Sequence, residues 1–171
     1  MNLIILSGRS GSGKSTALHQ LEDEGFYAID NLPVSLLPEL VRELSHSPLK
    51  VHQQVAVCID ARNSQDELAR FKSLCDEVKK HAQLRIVFLD AGDDKLIKRF
   101  SETRRRHPLT TDSLPLADAI KLESVLLEPI VVEASLAIDS SDMTVHELRA
   151  AIRDRILGVD ASKLAVQLKS F

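Results

Sequence analysis

The chain has 171 residues, 44% hydrophobic and 27% charged, the balance of a single globular domain rather than a disordered chain. Its 22 basic and 25 acidic residues leave a net charge of -3, which excludes a uniformly basic nucleic-acid binder but leaves room for a local basic patch. No apolar run nears the roughly 18 residues of a membrane helix. The first such run follows no basic segment, so no signal peptide is expected and the chain reads as cytoplasmic.

The elements follow in chain order. Leu3-Ile4-Ile5-Leu6 is a short buried strand, stopped by Ser7-Gly8. Residues 14–24 read as a helix with Ala17, Leu18 and Leu21 on one side and Gly25 at its end. Residues 26–29 form a second strand closed by Asp30-Asn31, with Phe26 and Tyr27 expected in the core. Pro33 opens a helical stretch, and Pro38 suits the first turn of its continuation to Leu44. Residues 55–59 form a third strand ending at Asp60, and residues 84–89 a fourth ending at Asp90. Between them residues 64–81 read as one helix, with Leu68, Phe71, Leu74, Cys75 and Val78 at spacings of three and four. Residues 93–106 are a helix that turns basic before His107-Pro108 breaks it. Residues 116–132 are another, kinked or ended by Pro129. A fifth strand at 136–138 leads to a last helix over 144–157, with Thr144 and Glu147 as a capping box and Gly158 as its stop.

Short strands alternating with helices predict an α/β fold: a five-stranded parallel sheet with helices on both faces. Ligands then sit beyond the carboxyl ends of the strands. Cys58 and Cys75 lie outside any metal spacing and read as reduced thiols, and the six histidines form no zinc pattern. The domain is expected over 1–158. In 159–171, Leu164, Val166 and Leu168 alternate like a strand, and a linker or second domain is expected to begin there.

One motif carries the chemistry. Gly8-Arg9-Ser10-Gly11-Ser12-Gly13-Lys14-Ser15 fits G-x-x-x-x-G-K-[ST] between a strand and a helix. Glycines let backbone N–H groups close around phosphate oxygens, and the helix N-terminus adds its dipole. Lys14 would reach the β- and γ-phosphates of ATP or GTP, and the Ser15 hydroxyl would ligate Mg²⁺. A chance glycine-rich turn is the alternative, and at ordinary glycine usage it is expected in fewer than about one chain in a hundred. A second anchor for Mg²⁺ is needed, and both Asp60 and Asp90 end buried strands. In small P-loop kinases the acid ends the third strand, which favours Asp60. After it, Ala61, Arg62 and Asn63 are either a surface turn or a phosphate contact (Arg62) and a base or ribose contact (Asn63). Asp30 is either a turn former or a group that orients a phosphoryl acceptor. Lys98, Arg99, Arg104, Arg105, Arg106 and His107 make a basic stretch. It is a lid over phosphates, a contact surface for RNA or protein, or a solvated face.

Five strings resemble one family: S-G-R-S-G-S-G-K-S (7–15), L-E-D-E-G-F-Y-A-I-D-N-L-P (21–33), I-D-A-R-N (59–63), F-L-D-A (88–91) and T-R-R-R-H-P-L (103–109). In order and over nearly the whole chain, they resemble the RapZ/YvcJ family of bacterial nucleotide-binding proteins. The resemblance implies a P-loop NTPase fold like that of small-molecule and nucleotide kinases, with binding and hydrolysis of ATP and GTP. It carries the family's phosphate loop to residues 8–15 and a second nucleotide segment to Asp60, Ala61, Arg62 and Asn63. In proteobacterial members it implies an RNase adapter that presents a small regulatory RNA to RNase E through a C-terminal domain and tunes amino-sugar synthesis. It also implies a homo-oligomer. Three functions follow as expectations: a slowly hydrolysing nucleotide module of such an adapter, with Lys14, Ser15 and Asp60 at the phosphates and Arg104 and Arg105 closing over them; a metabolite kinase with Asp30 at the acceptor; or a contact module with a vestigial loop.

Overall fold

The computed structural model describes residues 1–158. The strand expected within 164–168 and the domain start expected at 159–171 lie outside the described residues. The strands are β1 (Asn2–Gly8), β2 (Tyr27–Ile29), β3 (Gln54–Cys58), β4 (Gln83–Asp90) and β5 (Leu136–Asp139). The helices are α1 (Lys14–Asp23), α2 (Leu37–Ser45), α3 (Gln65–Ala69), α4 (Phe71–Val78), α5 (Asp93–Thr103), α6 (Leu116–Leu126), α7 (Glu128–Glu133) and α8 (Val145–Ile152).

The sheet is parallel throughout, in the order β2-β3-β1-β4-β5. The first strand is therefore central, paired Leu3 to Val55 on one side and Leu3 to Leu84 on the other. Alternate residues of a strand point to opposite faces, and here both faces are apolar. Leu3 and Ile5 join Val55 and Val57 beneath α2, α3, α4 and α7. Ile4 and Leu6 join Ala56, Cys58 and Val87 beneath α1 and α8. Two covered faces explain why the strands read as continuous apolar runs rather than as alternation. A smaller cluster of Ala91, Leu96 and Ile120 seats α5 and α6 beside the carboxyl end of β4.

The departures from expectation are local. Residues 64–81 form two helices, not one. Ser64 and Glu67 make a full capping box on α3, which ends at Arg70 (φ −89, ψ 0) before α4 begins. The inward spacing of Leu68, Phe71, Leu74 and Val78 survives this break, so periodicity could not reveal it. α6 ends ahead of Pro129, which has no N–H to continue it and sits in the first turn of α7. α5 stops at Thr103 because Arg104 is left-handed at φ 53, so Arg104, Arg105 and Arg106 lie on a loop. The Thr144 cap is half a box: its Oγ1 accepts the Glu147 N–H, without the return bond. α8 then runs into a π turn, Arg153–Leu157, and Gly158 keeps a right-handed helical φ of −61. Phe26 is buried, whereas Tyr27 is exposed and meets His52 edge-on at 4.7 Å.

Candidate functional site: a clamped phosphate loop and its cavity

Residues 8–15 leave the end of β1 and wrap the start of α1. Gly8 has no room for a side chain: a Cβ there would sit 2.2 Å from the Leu89 carbonyl oxygen on the neighbouring strand. Gly13, the residue before the helix, is left-handed at φ 108, and a Cβ would lie 2.4 Å from Leu148 Cδ2. No side chain caps α1, and its first turn carries no acid. Its leading amides are thus left to face a cavity of about 530 Å³, lined by residues 10–16. The Lys14 ammonium folds across the loop and donates to the Gly8 carbonyl at 2.8 Å.

The outer side of the loop is held residue by residue. Arg9 is buried and turned away from the cavity. Its Nε donates to Asp90 Oδ1 at 2.8 Å, its Nη1 to Asp93 Oδ1 at 2.5 Å and its Nη2 to the Ala91 carbonyl at 2.6 Å. Ser10 gives both its N–H and its Oγ–H to the Glu123 carboxylate, each at 2.6 Å. The Gly11 carbonyl accepts from Arg99 at 2.9 Å, and the Ser12 carbonyl accepts from Ser140 Oγ at 2.6 Å. A loop fixed this way needs little reorganisation to receive an anion.

The expected site residues separate accordingly. Ser10, Gly11, Ser12, Gly13, Lys14 and Ser15 line the cavity, as do Asp30, Asp60, Arg62 and Arg105, joined by Arg106. Gly8, Arg9, Ala61, Asn63 and Arg104 do not. Ala61 packs in the core. The Asn63 side chain is spent on the backbone, accepting the Val34 N–H at 2.7 Å and donating to the Asp60 carbonyl at 3.0 Å. It therefore shapes the turn after β3 instead of reaching for a base. Arg104 turns the chain out of α5, which places its neighbours Arg105 and Arg106 at the cavity. Asp90 is likewise outside the lining, because its carboxylate holds Arg9 and the Ala91 N–H. Of the two strand-end acids, only Asp60 faces the cavity.

Asp60 is almost fully buried, and Arg62 grips it through Nη2 at 2.7 Å, Nε at 3.0 Å and its own backbone N–H at 2.9 Å. Burial alone would raise the Asp60 carboxyl. The Arg62 hydrogen bonds and charge, helped by Lys14, outweigh it and hold the group below the ordinary carboxylate range. Cys58, also on the cavity wall, has its thiol pushed up to about 12, chiefly by burial, so it stays protonated. An oxygen-only pair, the Ser15 hydroxyl and the Asp60 carboxylate, suits Mg²⁺, which takes few protein ligands and keeps water and phosphate for the rest. Among the described residues no group of three or more His, Cys, Asp or Glu is placed to hold a metal ion.

Glu123 is the residue that sequence reasoning missed. It is completely buried on α6 and accepts from Ser10 and from His107 Nε2 at 3.3 Å. Burial would raise its carboxyl, but those bonds and the Lys14 charge keep it lowered. A signal existed: Ile120, Glu123 and Leu127 stand three and four apart and are all buried, so an acid occupies the helix's apolar stripe.

The RapZ-like N-terminal domain family matches residues 1–160. The chain belongs to this family. A nucleotide-binding protein of Stutzerimonas stutzeri (strain A1501) is 53% identical over 173 residues, covering 100% of the chain and 60% of that protein. One from Saccharophagus degradans is 45% identical, covering 100% of the chain and 59% of its own length. This RapZ-like domain thus spans about three fifths of the curated relatives it matches. Among solved structures it resembles shikimate kinase from Acinetobacter baumannii in complex with shikimate (TM-score 0.58, 16% identity, 92% and 94% of the two chains covered). It also resembles a gluconokinase from Sinorhizobium meliloti (TM-score 0.54, 20% identity, 99% and 98% covered). At such identities the likeness establishes the P-loop kinase-like fold of the RapZ-like domain and nothing finer. No helix among the described residues is long and apolar enough to cross a membrane.

Proposed function

We propose that this domain binds ATP or GTP with Mg²⁺ in the cavity and hydrolyses it slowly, as the regulatory half of a cytoplasmic RNA-binding adapter. The observation that carries the reading is the convergence of the loop residues 10–16, Lys14 and Asp60 on one cavity. Lys14 would leave the Gly8 carbonyl for the β- and γ-phosphates. Ser15 would ligate Mg²⁺, with Asp60 reaching it directly or through water, and the ion would neutralise phosphate charge. Arg62 competes for Asp60, so its release would free a guanidinium for phosphate. Arg105 and Arg106 stand at the same cavity.

Slow hydrolysis fits the lining, which among the described residues holds two carboxylates, Asp30 and Asp60, and no histidine. Asp60 is ion-paired and hard to protonate, a poor base for activating water. The adapter role rests on the family resemblance and on the relatives' greater length. That resemblance puts a small regulatory RNA and RNase E on the part of the relatives beyond this chain, with self-association. Titration calorimetry with non-hydrolysable ATP and GTP analogues tests the core of the reading. Binding that strengthens with Mg²⁺ is expected, and no heat from either analogue on folded protein would overturn it.

A second reading, a metabolite kinase, is favoured by the two-sided lining. Met143, Val145 and Leu148 follow β5 on one side of β1, whereas Asp30, Asp60 and Arg62 follow β2 and β3 on the other. An apolar end suits a base, and a charged end suits a polar acceptor. In this reading Asp30 takes the acceptor's proton, and Asp30→Asn lowers phosphoryl transfer at least about tenfold while bare hydrolysis persists. Release of ADP and phosphate in equal amounts with every acceptor in a metabolite panel would exclude it.

A further inference from the structure

The arginine loop and the phosphate loop are joined by a line of hydrogen bonds through the buried His107 and Glu123 to the half-buried Ser10. His107 directly follows Arg106 and is 2% exposed, and Glu123 is wholly buried. The His107 Nδ1 accepts the N–H of Leu109 at 3.1 Å. A ring nitrogen that accepts carries no proton, so the ring hydrogen sits on Nε2. Nε2 faces Glu123 Oε1 at 3.3 Å, and the same carboxylate takes the two Ser10 donors at 2.6 Å. The imidazole is thus a neutral donor to the carboxylate, not a cation paired with it. Its ring also packs against Phe100, centroids 5.1 Å apart, and Phe100 lines the cavity beneath Gly11.

Three features make this more than a stable core contact. A carboxylate placed on a buried helix stripe carries a desolvation cost that an apolar residue would avoid. Its remaining partners are the N–H and hydroxyl of one phosphate-loop residue. And the donor that completes its shell lies next to Arg105 and Arg106, two cavity-lining cations that among the described residues make no ion pair. Movement of those arginines toward an anion would shift His107, then Glu123, then Ser10.

We propose that His107 and Glu123 are positioning residues of the nucleotide site: the His107 Nε2–H holds Glu123 in the rotamer that fixes Ser10, so the arginine loop and the phosphate loop take up their positions together. This rests on the nucleotide reading for its functional effect, though not for its geometry.

Two substitutions separate the positioning role from a merely structural one. In His107→Asn the amide can replace Nδ1 and still accept the Leu109 N–H, but nothing reaches Glu123. In His107→Gln the amide nitrogen falls where Nε2 was and still donates to Glu123. With folding checked by thermal melting, His107→Asn is expected to bind a non-hydrolysable ATP analogue with Mg²⁺ about tenfold more weakly, and His107→Gln within about threefold of the parent. The Ser10 amide resonance, downfield through its carboxylate bond, should move upfield in His107→Asn and stay in place in His107→Gln. Any other ordering, with the two variants alike or the Gln variant the weaker, overturns the proposal. If the parent protein binds no nucleotide, the functional reading falls. The Ser10 resonance then decides the coupling by itself.

Discussion

Replacing Lys14 by alanine is expected to remove measurable nucleotide binding, a loss of at least about a hundredfold, with little change in thermal stability. Among the described residues the ammonium makes a single hydrogen bond, to the Gly8 carbonyl at 2.8 Å. The fold therefore gives up little. A bound triphosphate gives up much more. Lys14 is the cation set at the first residue of α1, inside the arc of loop amides. Charge-assisted bonds to two phosphates are worth roughly 1.5–3 kcal/mol each, and 1.4 kcal/mol is about a tenfold change in affinity. The same calorimetric titration, paired with a melting curve, checks both halves. An alanine variant that keeps its affinity within about threefold would remove the phosphate loop from the functional reading altogether.

The second large effect concerns stability. Glu123→Ala leaves the Ser10 N–H, the Ser10 hydroxyl and the buried His107 Nε2–H without their acceptor. Orphaning buried donors costs about 1–3 kcal/mol apiece, less whatever the loop regains by turning to water. A total loss of about 3–5 kcal/mol is expected, read by urea unfolding. Glu123→Gln should lose far less, because its amide oxygen still accepts the Ser10 N–H and the Ser10 hydroxyl can reverse to accept.

Acid titration adds a sign. Glu123 and Asp60 are both held below their ordinary range when folded. The unfolded chain thus binds more protons than the folded one as pH falls. Their stabilisation is complete above the unfolded carboxylate values near about pH 4. It disappears as pH drops through the lowered folded values. The curve of stability against pH should fall on the acid side and be shallower in Glu123→Gln. An identical slope in the two proteins would mean that folding does not lower the Glu123 carboxyl.

Much of this architecture is legible in the residues. Apolar runs bounded by Gly8, Asp60 and Asp90 give the three inner strands because each is covered on both faces, and the glycine-lysine-serine string places the phosphate loop. What escapes is whatever depends on partners distant in sequence. Arg9 and Asn63 belong to motifs, yet their side chains bind neighbouring segments outside the cavity, because Asp93 and Val34 arrive beside them only in the folded state. Asp60 and Asp90 look alike as strand-end acids, and only tertiary placement sends one to the cavity and the other to Arg9. The break at Arg70 keeps the apolar spacing and so leaves no trace. The left-handed Arg104 lies in a run of three arginines in which nothing distinguishes the residue that turns the chain.

The restraints on residues 9–12 carry a consequence for how the protein is made. Their partners lie 81 residues further along for Arg9, 113 for Ser10, 88 for Gly11 and 128 for Ser12. On the ribosome the phosphate loop is synthesised before every one of these partners and shaped only after them, since such distant contacts close only when the later chain exists. A nascent chain that has not yet reached Ser140 holds the whole glycine-rich string but lacks the groups that set its curve. Nucleotide capture by this domain is therefore a late event in its biogenesis, and it marks the moment when the β4–β5 side of the sheet is in place.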